Sequence, residues 1–251
     1  MVENKPGAGG VAMFTGISKS EPNGQVVGMG VSTPILMQLV ARADKVPFKV
    51  DDFDYLSSVA LGQLALVADK DAPFDDLESM VDYAKANGPL AVAINASPHK
   101  LLLAAIGRET GAEFQFVNTK GGAESMKLLM GGQVMAAFAG GSHGPYIESG
   151  DMKMIAVGNS ERHAYAPDAK TIAEQGYGVF VDPTFFIATT KGTDAAIIEA
   201  LSDAISNALA SDEVIEVVRN AAKSSVLDLD PKATHSLMLD GLPVMKKLIG
   251  K

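Results

Sequence analysis

Four histidines, thirty acidic residues and no cysteine make up the reactive inventory of this 251-residue chain. His99, His143, His163 and His235 fall in none of the H-x-x-x-H, H-x-H or H-E-x-x-H spacings, so no metal centre is signalled. Without cysteine there is no thiolate nucleophile, no zinc thiolate and no disulfide. No G-x-S-x-G elbow marks a hydrolase serine. His99, on the first turn of an expected helix, reads as a partly exposed polar residue. The acid pairs Asp51–Asp52 and Asp75–Asp76 stand at expected loop or helix starts, where capping and solvation account for them better than acid–base work does. The opening VENKPGAGG (2–10) has no Lys-Ser/Thr pair after its glycines, and Val-Ala-Met follows Gly7, Gly9 and Gly10. It reads as a flexible strand-to-helix connection and not as a phosphate cradle.

What recurs is a strand that ends in small polar residues and glycine. GVST ends at Thr33, INAS at Ser97, NTKGG at Gly122 and AGGSHG at Gly144. Open α/β sheets bind ligands at the carboxyl edges of parallel strands. The helix starts that follow offer free N–H groups and a positive dipole end, suited to a carboxylate or phosphate. Singly, each such end is a turn; gathered in one cleft, they form a small-anion site.

These ends must be held by regular elements. FDDLESMVDYAKANG (74–88) reads as a helix capped by Asp75 or Asp76, with Leu77, Met80, Val81 and Ala84 on one face and Gly88 as the stop. PLAVAINAS (89–97) is a strand running into a helix with Ser97 at its N-cap and Pro98 at its first position. AEFQFVN, QVMAAFA, MKMIAVGN and PTFFIATT read as further strands, and AESMKLLM as a short helix. Thr193 is expected to cap a helix with Ile197, Ile198, Leu201 and Ile205 on its core face; another begins at Ser211 and a last one bends near Pro243. Strands alternating with helices imply an α/β fold on parallel sheets.

The chain is 47% hydrophobic and 20% charged, enough for one large domain or two lobes. A net charge of −9 disfavours nucleic acid as a partner, because binding it needs a basic surface. The apolar runs are too short for a membrane span, and residues 1–20 show no basic region leading into an apolar stretch. Either the protein is cytosolic or the chain begins after a removed or missing segment.

Taken in order, VENKPGAGG, SEPNGQVVGMG, YAKANG, KGGAESMKLLMGGQV, SGDMKMIAVGNSERHAYAPDAKTIAEQGY and FFIATTKGTDAAIIEALSDAI cover most of the chain. The set resembles the substrate-binding proteins of tripartite tricarboxylate transporters, the Bug family. The resemblance implies a two-lobed α/β fold of the type II periplasmic binding-protein kind, each lobe a mostly parallel sheet flanked by helices. Lobe one would comprise 1–88 and 184–251, and lobe two 89–183, with the ligand cleft between them. It implies a monomeric, periplasmic receptor with no catalytic role and no cofactor. Such a receptor captures a small organic carboxylate and delivers it to the permease subunits of a membrane transporter. A cytosolic ligand-sensing module, or an enzyme on this fold, is the alternative. The family has a strand and helix ahead of the VEN segment that this chain does not include, which implies a lobe-one sheet short of its first strand.

Carried over by position, the resemblance places Ser32 and Thr33 in a lobe-one strand-end loop and Ser97 at the helix start of lobe two. Lys120, Gly121 and Gly122 match a KG loop, Gly140, Gly141 and Ser142 a following polar loop, and Phe185 and Phe186 the second crossover. Ser97 and nearby N–H groups would hold the carboxylate, and Gly121 and Gly122 would admit the backbone closely. Lys120 would add charge or stay solvated. One of the two phenylalanines would pack on the ligand and the other in the core. Ala139 stands where the family often has an aspartate, which favours a plain acid over an amino acid; His163 is expected away from the cleft.

Overall fold

The computed structural model describes residues 1–250. Its chain divides into two compact units. The first comprises residues 1–61, 183–220 and 224–251, residue 251 alone lying outside the described residues, and the second comprises 62–182 with 221–223.

The first unit opens with the glycine turn. Gly7, Ala8, Gly9 and Gly10 all have positive φ, which glycine alone adopts without strain. A Cβ on Gly9 would stand 3.0 Å from that of Pro34, so the turn also lies close against its neighbour. Helix α1 (Val11–Ile17) follows, then strand β1 (Val27–Val31) and helix α2 (Ser32–Ala41). Strand β2 (Phe53–Leu61) leaves for the second unit, and the chain returns as β8 (Thr184–Thr190). Helices α7 (Ala195–Leu209) and α8 (Asp212–Ala222), strand β9 (Val226–Leu229) and helix α9 (Pro231–Ile249) complete the unit, apart from the short excursion at 221–223. The sheet order is β1-β8-β2-β9, and every neighbouring pair is antiparallel. The core is aromatic: Phe14 meets Phe53 edge-on and stacks on Phe186, ring centres 5.3 Å apart in both cases. Gly28 and Gly30 let α1 come close; a Cβ on Gly30 would lie 2.5 Å from Phe14 Cε2.

The second unit carries β3 (Ala65–Asp69), α3 (Leu77–Asn87), β4 (Leu90–Ile94), α4 (Ser97–Thr110), β5 (Phe114–Asn118), α5 (Gly122–Met130), β6 (Ala136–Ala139), α6 (Gly144–Glu148) and β7 (Met152–Val157). Strand order is β5-β4-β6-β3-β7. Strand β4 runs parallel to β5 and β6, whereas β3 runs antiparallel to β6 and β7. Strands β3 and β6 are buried almost throughout, as central strands covered on both faces must be. One face packs Val67, Ala93, Ala137 and Ala139 against Met126 and Leu129 of α5. On the other, the His99 ring of α4 lies 5.0 Å from that of Phe138.

The architecture is α/β, with two sheets flanked by helices as expected, but the sheets are mixed and not mostly parallel. The expected lobe boundary also moves. Strand β3 hydrogen-bonds β6 and β7, so residues 62–88 belong with the second unit and the first crossing falls after Leu61. Helix α3 follows its sequence signals: Asp76 caps it, accepting from Ser79 N–H at 2.9 Å, and Leu77, Met80, Val81 and Ala84 are its buried face. Helix α7 is capped by Asp194 and not Thr193; Thr193 is turned to Thr190 O.

Candidate ligand-binding site

In the second unit the parallel strands β5, β4 and β6 all end toward the same edge. The chain passes from β4 to β5 on one side and then to β6 on the other, so the strand order reverses beside β4. A crevice outside the carboxyl ends is the expected ligand position at such a switch point. Three connections reach this edge: 95–96 into α4, 119–121 into α5, and 140–143 into α6.

The structure brings these connections together. An atom at the Cβ position of Gly122 would stand 2.2 Å from Ser142 Oγ, 3.0 Å from Ser142 Cβ and 3.9 Å from Asn95 Nδ2. Gly122 is thus required by contact, because any side chain would displace the serine. Gly121, beside it, is extended and begins α5. The turn is held from within: Thr119 Oγ1 lies 2.8 Å from Ser125 Oγ, and Lys120 N–H donates to Glu124 Oε2 at 2.6 Å. The Lys120 side chain is exposed. Gly140 is exposed and Gly141 buried. Gly141 has φ of 122°, with Ala221 O 3.1 Å from where its Cβ would be. Ser142 Oγ is shut off and finds no partner among the described residues.

Several expectations change at this level. Ser97 is the first residue of α4 and not its cap; Ala96 takes that place with no side-chain bond. Ser97 is exposed at the start of α4, where Pro98 carries no N–H and the His99 N–H donates to Ala96 O at 3.2 Å. Ala139 is fully buried in the core against α5, so the side chain there bears on packing and not on ligand charge. His99 is not partly exposed: it is buried, and burial alone holds its imidazole down at about 4. Asn95, absent from the sequence-based set, joins the cluster; its only signal was its place in INAS.

In the first unit, Ser32 and Thr33 form no loop. Strand β1 runs directly into α2, and both residues are buried in its first turn. Ser32 Oγ accepts from Thr184 N–H at 3.0 Å, tying α2 to the start of β8. Phe186 is core, stacked on Phe14, while Phe185 is half-buried on the opposite face of β8, paired with Val31 and Ala60. This unit also has an open groove of ≈ 630 Å³ between α7 and the start of α9. Its wall mixes Lys191 and Lys232 with Asp54, Glu199 and Asp203, and Asp54 already holds Lys191 at 2.8 Å, so it offers no anion cradle. Among the described residues no three His, Asp or Glu gather as a metal site, and no helix is long and apolar enough to cross a membrane.

Behind the 140–143 connection lies a polar chain whose two histidines and asparagine are buried and whose tyrosine, Tyr165, is exposed. His143 Nε2 meets Tyr165 Oη, which lies 2.9 Å from His163 Nδ1; His163 Nε2 lies 2.9 Å from Asn159 Oδ1. Asn159 accepts from Leu64 N–H at 2.7 Å and donates to Gly62 O at 3.0 Å and to Asp182 Oδ1 at 3.2 Å. Burial holds both imidazoles down at about 4, with Lys223 adding to the effect on His143 and His143 to that on His163. Burial raises the Tyr165 phenol, which stays protonated.

Two α/β units, with glycine-bordered connections gathered at a strand-end edge of one, make up the fold that carries the candidate site. The chain belongs to the tripartite tricarboxylate transporter family receptor family, TctC, whose profile matches residues 1–251. It is 31% identical over 249 residues to Protein BugT of Bordetella pertussis, covering 96% of this chain and 75% of BugT. It is 30% identical over 212 residues to a UPF0065 protein of Cupriavidus necator, covering 83% of this chain. The match spans 64% of that protein's length. Among solved structures, a TctC solute-binding protein from Polaromonas superposes with TM-score 0.80 at 22% identity, covering 100% of this chain and 86% of that one. MatC of Rhodopseudomonas palustris with bound malate gives 0.78 at 22% identity, covering 97% and 85%. Rpa4515 of R. palustris with adipate gives 0.80 at 21%, covering 99% and 84%. At these identities the structural likeness establishes the fold. The family is one of receptors and not of enzymes.

Proposed function

We propose that this chain is a periplasmic receptor that captures a small organic dicarboxylate and passes it to the membrane subunits of a tripartite tricarboxylate-type transporter. The observation that carries the reading is the convergence of Gly122, Ser142 and Asn95 at the strand-end edge, with Ser142 Oγ buried and unpartnered. A buried hydroxyl without a partner is costly, and a ligand oxygen relieves that cost. The starts of α4 and α5 add N–H donors and positive dipole ends, which let an acidic protein hold an anion locally. The malate and adipate of the two R. palustris proteins are ligands of this chemistry. The carboxylate lies against the first turns of α4 and α5, with Ser97 and Ser142 as side-chain donors and Lys120 as a nearby charge.

The test is a thermal-shift and calorimetric panel of malate, adipate, citrate, acetate and aspartate. An acid at 100 times its dissociation constant stabilises the folded chain by about 2.7 kcal/mol. Ser97→Ala and Ser142→Ala should each weaken binding by about 1–3 kcal/mol if the hydroxyl donates to a charged oxygen. A panel without a carboxylate hit refutes the function; full affinity in both serine variants refutes the site.

A further inference from the structure

The chain behind the 140–143 connection has a direction that geometry fixes. Asn159 Oδ1 must be the oxygen, because Leu64 N–H donates to it. An oxygen cannot donate, so His163 carries its hydrogen on Nε2. The neutral ring then has a bare Nδ1, which accepts the hydrogen of Tyr165 Oη. Tyr165 has spent its single hydrogen, so its oxygen accepts from His143 Nε2. His143 is thereby held with its hydrogen on Nε2 and a lone pair on Nδ1. That Nδ1 is shut off and finds no partner among the described residues, like the hydroxyl of Ser142 next to it in sequence.

A proton added to this chain has two landing places. On His143 Nδ1 it breaks no bond and makes that nitrogen a donor. On His163 Nδ1 it leaves Tyr165 Oη accepting from both rings, with the phenol hydrogen turned to the solvent that Tyr165 meets. Either way the chain gains one proton and one positive charge; on His143 the nitrogen beside the connection also turns from acceptor to donor. The charged and titratable groups that meet this chain at His143 are Lys223 from 221–223 and Tyr165 and His163 from 159–167, while Tyr146 and Glu148 follow along α6. Lys223 packs its stem at Gly144, with Cε 2.9 Å from where a Cβ would stand, and opposes the charged ring. Asp182 sits at the far end, behind Asn159.

We propose that binding of a carboxylate at the 140–143 connection takes up a proton on the His143–Tyr165–His163 chain, converting His143 from acceptor to donor as the ligand's negative charge arrives. The inference rests on the carboxylate reading above. His143 and His163 act here as positioning residues whose protonation is linked to capture. The free chain is neutral above about pH 5, since both rings titrate at about 4. An opposite charge within about 4–6 Å raises such a value by about 1–3 units.

Nitrogen-15 spectra of the histidine rings at pH 7, without ligand, should show hydrogen on Nε2 of both His143 and His163. Hydrogen on Nδ1 of either overturns the direction. Calorimetry with malate and with adipate at pH 6, in phosphate and in Bis-Tris, reads proton uptake. With a rise of about two units, the parent should take up about half a proton more than His143→Gln, and its dissociation constant should rise about tenfold from pH 5 to 7 beyond the change in the variant. The acid's own ionisation enters both proteins equally. Equal uptake in the two overturns the coupling. If His143→Gln does not fold, the ring spectrum of the saturated parent at pH 6 decides: an unchanged Nε2–H tautomer overturns the proposal, and an Nδ1–H or charged ring supports it. If no acid binds at any pH, the carboxylate reading and the coupling fall together, while the ligand-free tautomers are judged on their own.

Discussion

Acidification from pH 7.5 to 5.5 should cost this protein a large part of its stability, well before its carboxylates titrate. Three imidazoles, those of His99, His143 and His163, are held at about 4 by burial. In the unfolded chain each returns to about 6.5. Between those values the unfolded chain binds protons that the folded chain refuses, so stability is present at high pH and falls as pH falls. Integrated from 7.5 to 5.5, each group contributes about 1.3 kcal/mol, and the three together about 4 kcal/mol. Marginal stabilities of about 5–15 kcal/mol make that a large fraction. Asp76, held low by its bonds to Ser79, and Glu174, held at about 2 by Arg162, lose their contribution only below about pH 5 and stay out of this window. Urea unfolding at pH 7.5, 6.5 and 5.5 measures the slope, which should approach about 2.5 protons at the acid end. His99→Leu should remove about a third of it, because that ring is separate from the His143–His163 chain. A difference under about 1 kcal/mol between pH 7.5 and 5.5 would refute the buried neutral state assigned to these rings.

Two further substitutions test the packing. Gly30→Ala should destabilise by about 1–3 kcal/mol, since its Cβ would meet Phe14 Cε2 at 2.5 Å and Cζ at 3.0 Å; an unchanged melting temperature would contradict the close approach of α1 to β1. Asn159→Ala leaves Leu64 N–H, Gly62 O and His163 Nε2 without their partner and should cost about 2–4 kcal/mol; a loss below about 1 kcal/mol in urea unfolding would show that the amide is dispensable.

Helix α3 was legible in its face and its stop, with the cap narrowed to Asp75 or Asp76, because a capping acid, a four-residue apolar face and a terminal glycine are all local signals. The ordered motifs gave the family and with it the fold. Strand direction was not legible: alternation and apolar runs look alike in parallel and antiparallel strands, so the sheets read as mostly parallel. The place of β3 was lost for a related reason. Its partners β6 and β7 lie far along the chain, and nothing local assigns LALVA to one sheet over another. Ser32 and Thr33 read as a loop because small polar residues punctuate strands, yet here they open α2 and are buried. Ala139 drew attention only through the resemblance, as a place where the family often has an aspartate, while its packing against α5 needed the structure. The polar chain from Asn159 to His143 has no motif spacing, since it is assembled by tertiary contact between segments of unrelated sequence position.

Asn159 also bears on how the chain is built. One amide side chain grips Gly62, Leu64 and Asp182, so both ends of the long stretch 62–182 are fastened to the same residue. In the first unit the residues flanking that stretch are likewise neighbours: β2 and β8 are antiparallel partners, with Leu61 opposite Thr184. Antiparallel partners of this kind are ordinarily joined by a hairpin turn of two to five residues. In chain order the second unit stands where that turn would be. It is a guest spliced into a hairpin, closed on itself at its root. Loop-closure entropy grows only with the logarithm of loop length, so the first unit's sheet bears little penalty for carrying so long a stretch where a short turn would serve.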